Sequence, residues 1–205
     1  MEVIPITDNV VYVATYKATE IKIDNGEKDI ITDIKKDEKS PELKTADLTD
    51  EFAESTLSSE EKAEIEEAIE QGDSVDVEVY LKISDINDRV STDDKEKITA
   101  LADDTDYIEY FDVSLFKEIF INRQSQGATS LHELTTPLKL TIAVPESFSA
   151  VASGYERTYE VIRLHDGKAE ILPTTLNADG TITSHLRRTN FQLMLWHILI
   201  RRRKK

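Results

Sequence analysis

Alternation of apolar and polar residues predicts β-strands along much of this chain. Apolar residues occupy every second position over residues 75–83 and 111–115, and again over 138–144. This period of two is typical of strands with one buried face. Residues 10–16, VVYVATY, are rich in Val, Tyr and Thr and predict a further strand. The pattern therefore indicates a mainly β protein.

Turn residues divide the strands. Asp166-Gly167 separates two strand-like segments, YEVIRL at 159–164 and AEIL at 169–172, and predicts a β-hairpin with a type I′ turn. Asp179-Gly180 predicts another turn before a short strand. The stretch NRQSQGAT, residues 122–129, has no apolar period, so we expect a polar loop there.

Two short helices interrupt the strand pattern. Ser58 and Glu61 form a capping-box motif, and Gly72 is placed to end the helix that follows, which we expect near residues 59–71. The sequence Ser91-Thr92-Asp93-Asp94 predicts the cap of a second helix near residues 92–102.

These elements predict an Ig-like or β-sandwich domain with two short helical insertions. The apolar members of the alternating strands should form its core, while the charged residues between them face water or a helix. Ten residues are expected to be mostly buried: Val77, Val79, Leu81, Phe111, Val113, Leu115, Leu140, Ile142, Val161 and Ile171.

Composition narrows the functional classes. The chain has 205 residues and a formal net charge of −16, which argues against nucleic acid as a partner because phosphates would be repelled. It has no Cys, so disulfides and thiolate metal sites are excluded. No signal peptide precedes the first strand pattern, so the sequence indicates either a cytosolic protein or a fragment that lacks its true N-terminus.

Residue types that could support catalysis or metal binding are few. His132 and His165 stand in strand or turn contexts, and His185 and His197 lie in a basic C-terminal tail. Two acidic clusters, residues 93–94 and 103–106, could attract Ca²⁺, but neither has the spacing of a calcium loop, and helix capping accounts for Asp93-Asp94. We therefore predict no catalytic residue, no metal site and no cofactor.

Four aromatic residues could form a carbohydrate-binding strip. They are Tyr107, Tyr110, Phe111 and Tyr159. Aromatic residues in strands also fill sandwich cores or pair across strands, and this is the more common arrangement.

Longer phrases resemble known surface proteins. The phrase IPITDNVVYVATY, ending at Tyr16, is similar to the closing strand of the Listeria–Bacteroides (internalin B-type) repeat. The phrases YFDVSLFKEI, PLKLTIAVPE and RTYEVIRLHDGKAEIL resemble, in this order, a C-terminal module of secreted, repeat-bearing surface proteins of Firmicutes. The resemblance implies a non-enzymatic part of a modular stalk or adhesin.

The tail departs from that resemblance. Seven of the 25 Lys and Arg residues lie in residues 184–205, which contain no Asp or Glu. The related module continues with a core strand similar to FETDQFSTYALAY. One choice of codons for that phrase, shifted by one nucleotide, encodes HLRRTNFQLMLWH, the sequence of residues 185–197. We interpret the tail as frameshifted, and expect it to leave the sheet with an unpaired edge. The tail is too short to span a membrane, because its apolar run of ten residues is half the required length. An interfacial anchor is the alternative to a frameshift.

The sequence thus divides into three parts. Residues 1–17 are the remnant closing strand of an upstream repeat, without its native partners; residues 18–184 are the β-sandwich module; residues 185–205 are the aberrant basic tail. The expected function is a structural or adhesion module of a secreted or cell-surface bacterial protein, with neighbouring modules, and a host or cell-wall glycan or protein, as partners. The alternatives are a carbohydrate- or protein-binding module of a secreted glycan-processing enzyme, and such an enzyme with its catalytic part upstream of Met1.

Overall fold

The computed structural model describes residues 26–102, 105–132, 137–144, 155–186 and 194–204. Strand residues predominate in these segments, so the mainly β prediction is confirmed. The elements are β1 (Lys28–Lys36), β2 (Leu43–Lys44), α1 (Asp50–Ser55), α2 (Ser59–Glu70), β3 (Val75–Asp85), α3 (Thr92–Thr99), β4 (Thr105–Ile121), β5 (Gln124–Ser130), β6 (Leu138–Ala143), β7 (Tyr155–His165), β8 (Lys168–Leu172), β9 (Thr174–Leu176), β10 (Thr181–Leu186) and β11 (Met194–Lys204).

Two sheets form the sandwich. The large sheet has the strand order β1-β3-β4-β11-β7-β8, and β5 pairs with the C-terminal half of β4. The small sheet has the order β2-β6-β10-β9. Strand β1 is parallel to β3, whereas the other pairs in the large sheet are antiparallel. The parallel pair is possible because α1 and α2 cross over between β1 and β3.

The main core lies between the two sheets and under α1 and α2. It joins the odd-numbered apolar residues of β3 and β4 to Leu140 and Ile142 of β6, and Phe52 and Ile65 of the two helices contribute as well. A second core lies on the opposite face of the large sheet, where Ile98 of α3 packs with Tyr110 and Ile162. The large sheet is therefore covered on both faces, but on its second face only in part.

Local sequence motifs set the helix ends as predicted. The Ser58 side chain accepts from the Glu61 backbone N–H at 3.1 Å, and the Glu61 carboxylate accepts from the Ser58 backbone N–H at 2.7 Å. At the other end Gly72, with φ of 88°, donates to the Ile69 carbonyl, while Asp73 donates to that of Ala68. These two bonds form a Schellman motif, which needs a left-handed residue at Gly72. Ser91 caps α3.

The short helix α1 was not predicted. Thr49 caps it by accepting from the Phe52 backbone N–H at 3.2 Å. Its six residues are too few to show a helical period in the sequence. The described residues therefore hold three short helices rather than two.

Nine of the ten predicted core residues are buried, and Ile171 is the exception with 47% of its surface exposed. The predicted hairpin is present, with positive φ at both Asp166 and Gly167. Its register places Ile171 opposite Ile162, on the second face of the large sheet. The second core includes Ala169 but ends before Ile171, so this edge position stays open to solvent.

The prediction of a polar loop at residues 122–129 is wrong. Asn122 and Arg123, both with positive φ, form a two-residue turn, and β5 then pairs back along β4. Most residues of β5 are exposed. An edge strand that buries no face shows no apolar alternation, so the sequence pattern could not reveal it.

The expectation that the basic tail leaves an unpaired edge in the sheet is wrong. Strand β11 lies between β4 and β7, with Trp196 opposite both Phe111 and Arg163. One irregularity occurs in its pairing with β4, between Ile200 and Arg201. The frameshift itself stays a prediction about the DNA. The predicted strand at residues 10–16 and its lack of partners lie outside the described residues.

Candidate functional site

The strongest candidate site is a groove on the second face of the large sheet, next to the second core. Polar residues of β3 and β4 form one side of it, since they alternate with buried residues such as Ile83 and Val113. The loop after β3 and the start of α3 form the other side. The groove has a volume of about 350 Å³, within the usual range for small-molecule sites. Its lining residues are Lys82, Ser84, Ile86, Arg89, Val90, Ser91, Asp94, Asp112 and Phe116.

The strand register brings the groove's polar residues together. Ser84 pairs with Asp112, and Lys82 pairs with Ser114, so four polar residues share one surface of the sheet. The Ser114 hydroxyl lies 3.1 and 3.2 Å from the two carboxylate oxygens of Asp112 and donates to them. Burial raises the pKa of Asp112, and the Ser114 hydrogen bonds and the charges of Arg89 and Lys82 oppose that rise only in part.

An aromatic pair supports the floor of the groove. The rings of Tyr80 and Phe116 stack with their centroids 5.4 Å apart, and Lys35 Nζ lies 3.5 Å from the centroid of the Tyr80 ring. Lys35 also forms an ion pair with Glu78 at 2.8 Å. These contacts restrain Phe116, which offers an apolar surface to the groove.

The groove offers hydrogen-bond donors and acceptors around an apolar floor. Lys82 provides an ammonium group and Asp112 a carboxylate, while Ile86, Val90 and Phe116 provide the floor. Arg89 is already oriented, since its Nη2 donates to the Asp85 carbonyl at 2.6 Å. Ser91 and Asp94 are engaged in capping α3. This combination suits a neutral polyhydroxyl or zwitterionic ligand better than a strongly anionic or cationic one.

The histidines considered in the sequence take separate structural positions. His132 follows β5 and His185 lies in β10, and both are exposed. His165 ends β7 beside the hairpin turn, where its Nε2 lies 3.3 Å from Asp166 Oδ2. His197 lies in β11, opposite Tyr110.

The first acidic cluster, Asp93-Asp94, takes a structural position, and the side chains of the second, residues 103–106, lie outside the described residues. Asp93 and Asp94 lie in the first turn of α3, and both form ion pairs with Lys97. Residues 103 and 104 fall outside the described segments. Across those segments, no group of three His, Asp or Glu residues is arranged to hold a metal ion.

The proposed aromatic strip is divided between the two faces of the large sheet. Phe111 belongs to the main core and Tyr110 to the second core, because adjacent residues of β4 point to opposite faces. Tyr159 packs partly buried against the main core. These three residues therefore take core positions, whereas the side chain of Tyr107, the fourth residue of the predicted strip, lies outside the described residues.

Sequence reasoning missed the groove residues. The polar alternation of β3 and β4 indicates that Lys82, Ser84, Asp112 and Ser114 lie on outer faces. It does not give the pairing register, which depends on residues far apart in the chain. Nothing in the sequence places Arg89 or the start of α3 beside them.

No described helix is long and apolar enough to span a membrane. Comparison with known proteins gives no match to a family model, a curated protein or a solved structure.

Proposed function

We propose that this chain is a non-enzymatic structural and adhesion module of a secreted or cell-surface bacterial protein. The observation that supports the proposal most directly is a two-sheet sandwich whose main core joins both sheets to α1 and α2 in a chain without any Cys. Such a module folds without disulfides and can space or present the neighbouring modules of the same protein. The phrase resemblance of residues 157–172 gives the same expectation.

The polar residues of the domain support a structural role as well. Lys117 is buried and bonded to Glu61, and Arg163 is buried and forms an ion pair with Glu170 at 2.6 Å. These charged groups connect elements of the fold. Such pairing is the usual condition for charged groups inside a protein.

Localisation is the direct test of this proposal. An antibody raised against the purified domain should label intact cells of the source organism, or detect the protein in the culture medium. Brief protease treatment of intact cells should remove the cell-bound signal. Detection only after lysis would overturn the proposed location.

A second candidate function is a ligand-binding module, which the groove favours specifically. The best-suited ligand class is a glycan unit, because hydroxyl groups both donate and accept and one sugar face is apolar. Binding of the 205-residue protein to a glycan array should weaken in Lys82→Ala and Asp112→Ala. Lys44→Ala, which removes an exposed lysine from the small sheet, should leave binding unchanged. Equal binding by all four proteins would assign the ligand to another surface.

A further inference from the structure

We propose that this domain is a tension-bearing element, in which a pull between residues 26 and 204 loads the large sheet in shear. The inference gives the proposed structural module a specific mechanical task, and its biological meaning rests on that proposal. The mechanical property itself follows from the direction and pairing of four strands, β1, β3, β4 and β11.

The strand directions determine how a pull acts on the sheet. Strand β1 is parallel to β3, and both β3 and β11 are antiparallel to β4. Strands β1, β3 and β11 therefore run in the same direction. A pull backward on the start of β1 and forward on the end of β11 acts along the strands, and not across them.

The positions of the strand ends determine where the load enters and leaves the sheet. The start of β1 pairs with Val75, which lies opposite Ile121 at the end of β4. Near the end of β11, Arg201 lies opposite Thr105 at the start of β4. The two loading points thus lie at opposite ends of β4, whose 17 residues span roughly 50 Å.

The pairing along β4 determines which hydrogen bonds carry the load. Strand β3 pairs with residues 111–121 of β4, and β11 pairs with residues 105–113. A load that enters at β1 passes through three sets of inter-strand hydrogen bonds, or ladders, before it leaves at β11. These are the β1–β3, β3–β4 and β4–β11 ladders, in series. The hydrogen bonds of each ladder lie across the strands, so a pull along the strands strains many of them together.

A pull between two points at the same end of the sheet loads it differently. Val75 donates to the Glu27 carbonyl at 3.0 Å, and Asn122 donates to the Ser74 carbonyl at 2.9 Å. Glu27 and the turn that begins at Asn122 therefore lie at one end of β1, β3 and β4. Pulling them apart acts across the strands and opens the ladder bonds one after another.

Single-molecule pulling compares the two directions on the same fold. The chain has no Cys, so two introduced cysteines define the attachment points. The shear protein is Glu27→Cys with Lys204→Cys, and the peeling protein is Glu27→Cys with Gln124→Cys. Both use the 205-residue chain, and matching circular dichroism and melting temperature with the parent protein show that each is folded.

The shear protein should unfold at about twice the force of the peeling protein or more at one pulling speed, because many hydrogen bonds within one ladder must break together. Equal forces, or a lower force in the shear direction, would overturn the inference. Loss of folding only in the Lys204→Cys protein would be resolved by moving that cysteine to the end of the chain, after Lys205. The result does not depend on cell localisation, so it can fail while the proposed function stands, and the reverse also holds.

Discussion

Lys117 Nζ of β4 donates to Glu61 Oε2 of α2 at 2.5 Å, across 56 positions of sequence. The same ammonium group donates to the Thr56 carbonyl at 2.8 Å. It therefore joins the sheet to the connection between α1 and α2. The Lys117 side chain is only 6% exposed, whereas that of Glu61 is 25% exposed, so the pair is shielded mainly at its cationic end.

Glu61→Gln should destabilise the domain because it leaves the buried Lys117 ammonium without its charged partner. We expect a loss of about 1–3 kcal/mol in the free energy of unfolding, less than for a fully buried pair. Urea denaturation measures this loss. Glu64→Gln, at an exposed position of the same helix, serves as the control and should change little. Equal effects of the two substitutions would show that the ion pair does not stabilise the fold.

Asp112→Asn should raise stability at neutral pH. Burial raises the pKa of Asp112 in the folded state, so keeping this group ionised opposes folding above that pKa. The gain in melting temperature should shrink as the pH falls and the parent protein binds its own proton. Asp29→Asn, at an exposed position of β1, is the control. A gain independent of pH would contradict the mechanism.

Glu61 gives the opposite pH dependence. Burial raises its pKa, but the hydrogen bonds from Lys117 and from the Ser58 backbone outweigh burial and lower it overall. The stability that Glu61 contributes is therefore present above the ordinary carboxyl value of 4.5 and is lost as the pH falls through the lower folded-state pKa. Acid titration of Glu61→Gln should lack this loss, while the parent protein retains it.

Gly26→Ala should be more destabilising than Gly180→Ala. Both glycines have positive φ, which costs an alanine about 1–2 kcal/mol. A Cβ at residue 26 would also lie 2.7 Å from the Ile69 carbonyl oxygen, which already accepts from Gly72. A Cβ at residue 180 would meet no atom within 4 Å. Thermal melts of the two variants compare the steric contribution directly, and similar losses would mean that residue 26 relaxes freely.

Truncation after Leu186 should expose the edges of both β4 and β7. Within the described residues, β11 connects β7 and β8 to the rest of the large sheet. We expect loss of cooperative unfolding, or oligomers in which one molecule supplies a strand to another. Size-exclusion chromatography with light scattering distinguishes these outcomes. A peptide of residues 187–205 should restore the monomer, whereas a scrambled peptide should not; a stable truncated monomer would contradict the role of β11.

The frameshift hypothesis makes a separate prediction about the DNA. A shift of one nucleotide near the codon for Ser184 should recover a phrase similar to FSTYALAY. Sequencing the locus decides this directly. If no shift recovers such a phrase, the basic tail is the encoded strand and the hypothesis is wrong.

Local sequence determined the features that form within a few residues. The capping box at Ser58, the helix end at Gly72 and the turn at Asp166-Gly167 each depend on bonds between neighbours, and the structure has all three. The period of two also identified the buried face of β3 and β4. In each case the physical cause lies within the segment itself.

Tertiary structure alone decided which faces are covered and which strands meet. Ile171 of β8 stays exposed, because the second core under α3 takes in Ala169 of this strand but not Ile171. Lys117 is a charged residue that the sequence alone would place in solvent, but it is buried, because α2 brings Glu61 to it. Strand β11 has no period of two, and it is central because β4 and β7 both offer it free edges. Alternation shows which side chains share a face, whereas strand partners depend on contacts between residues far apart in the chain.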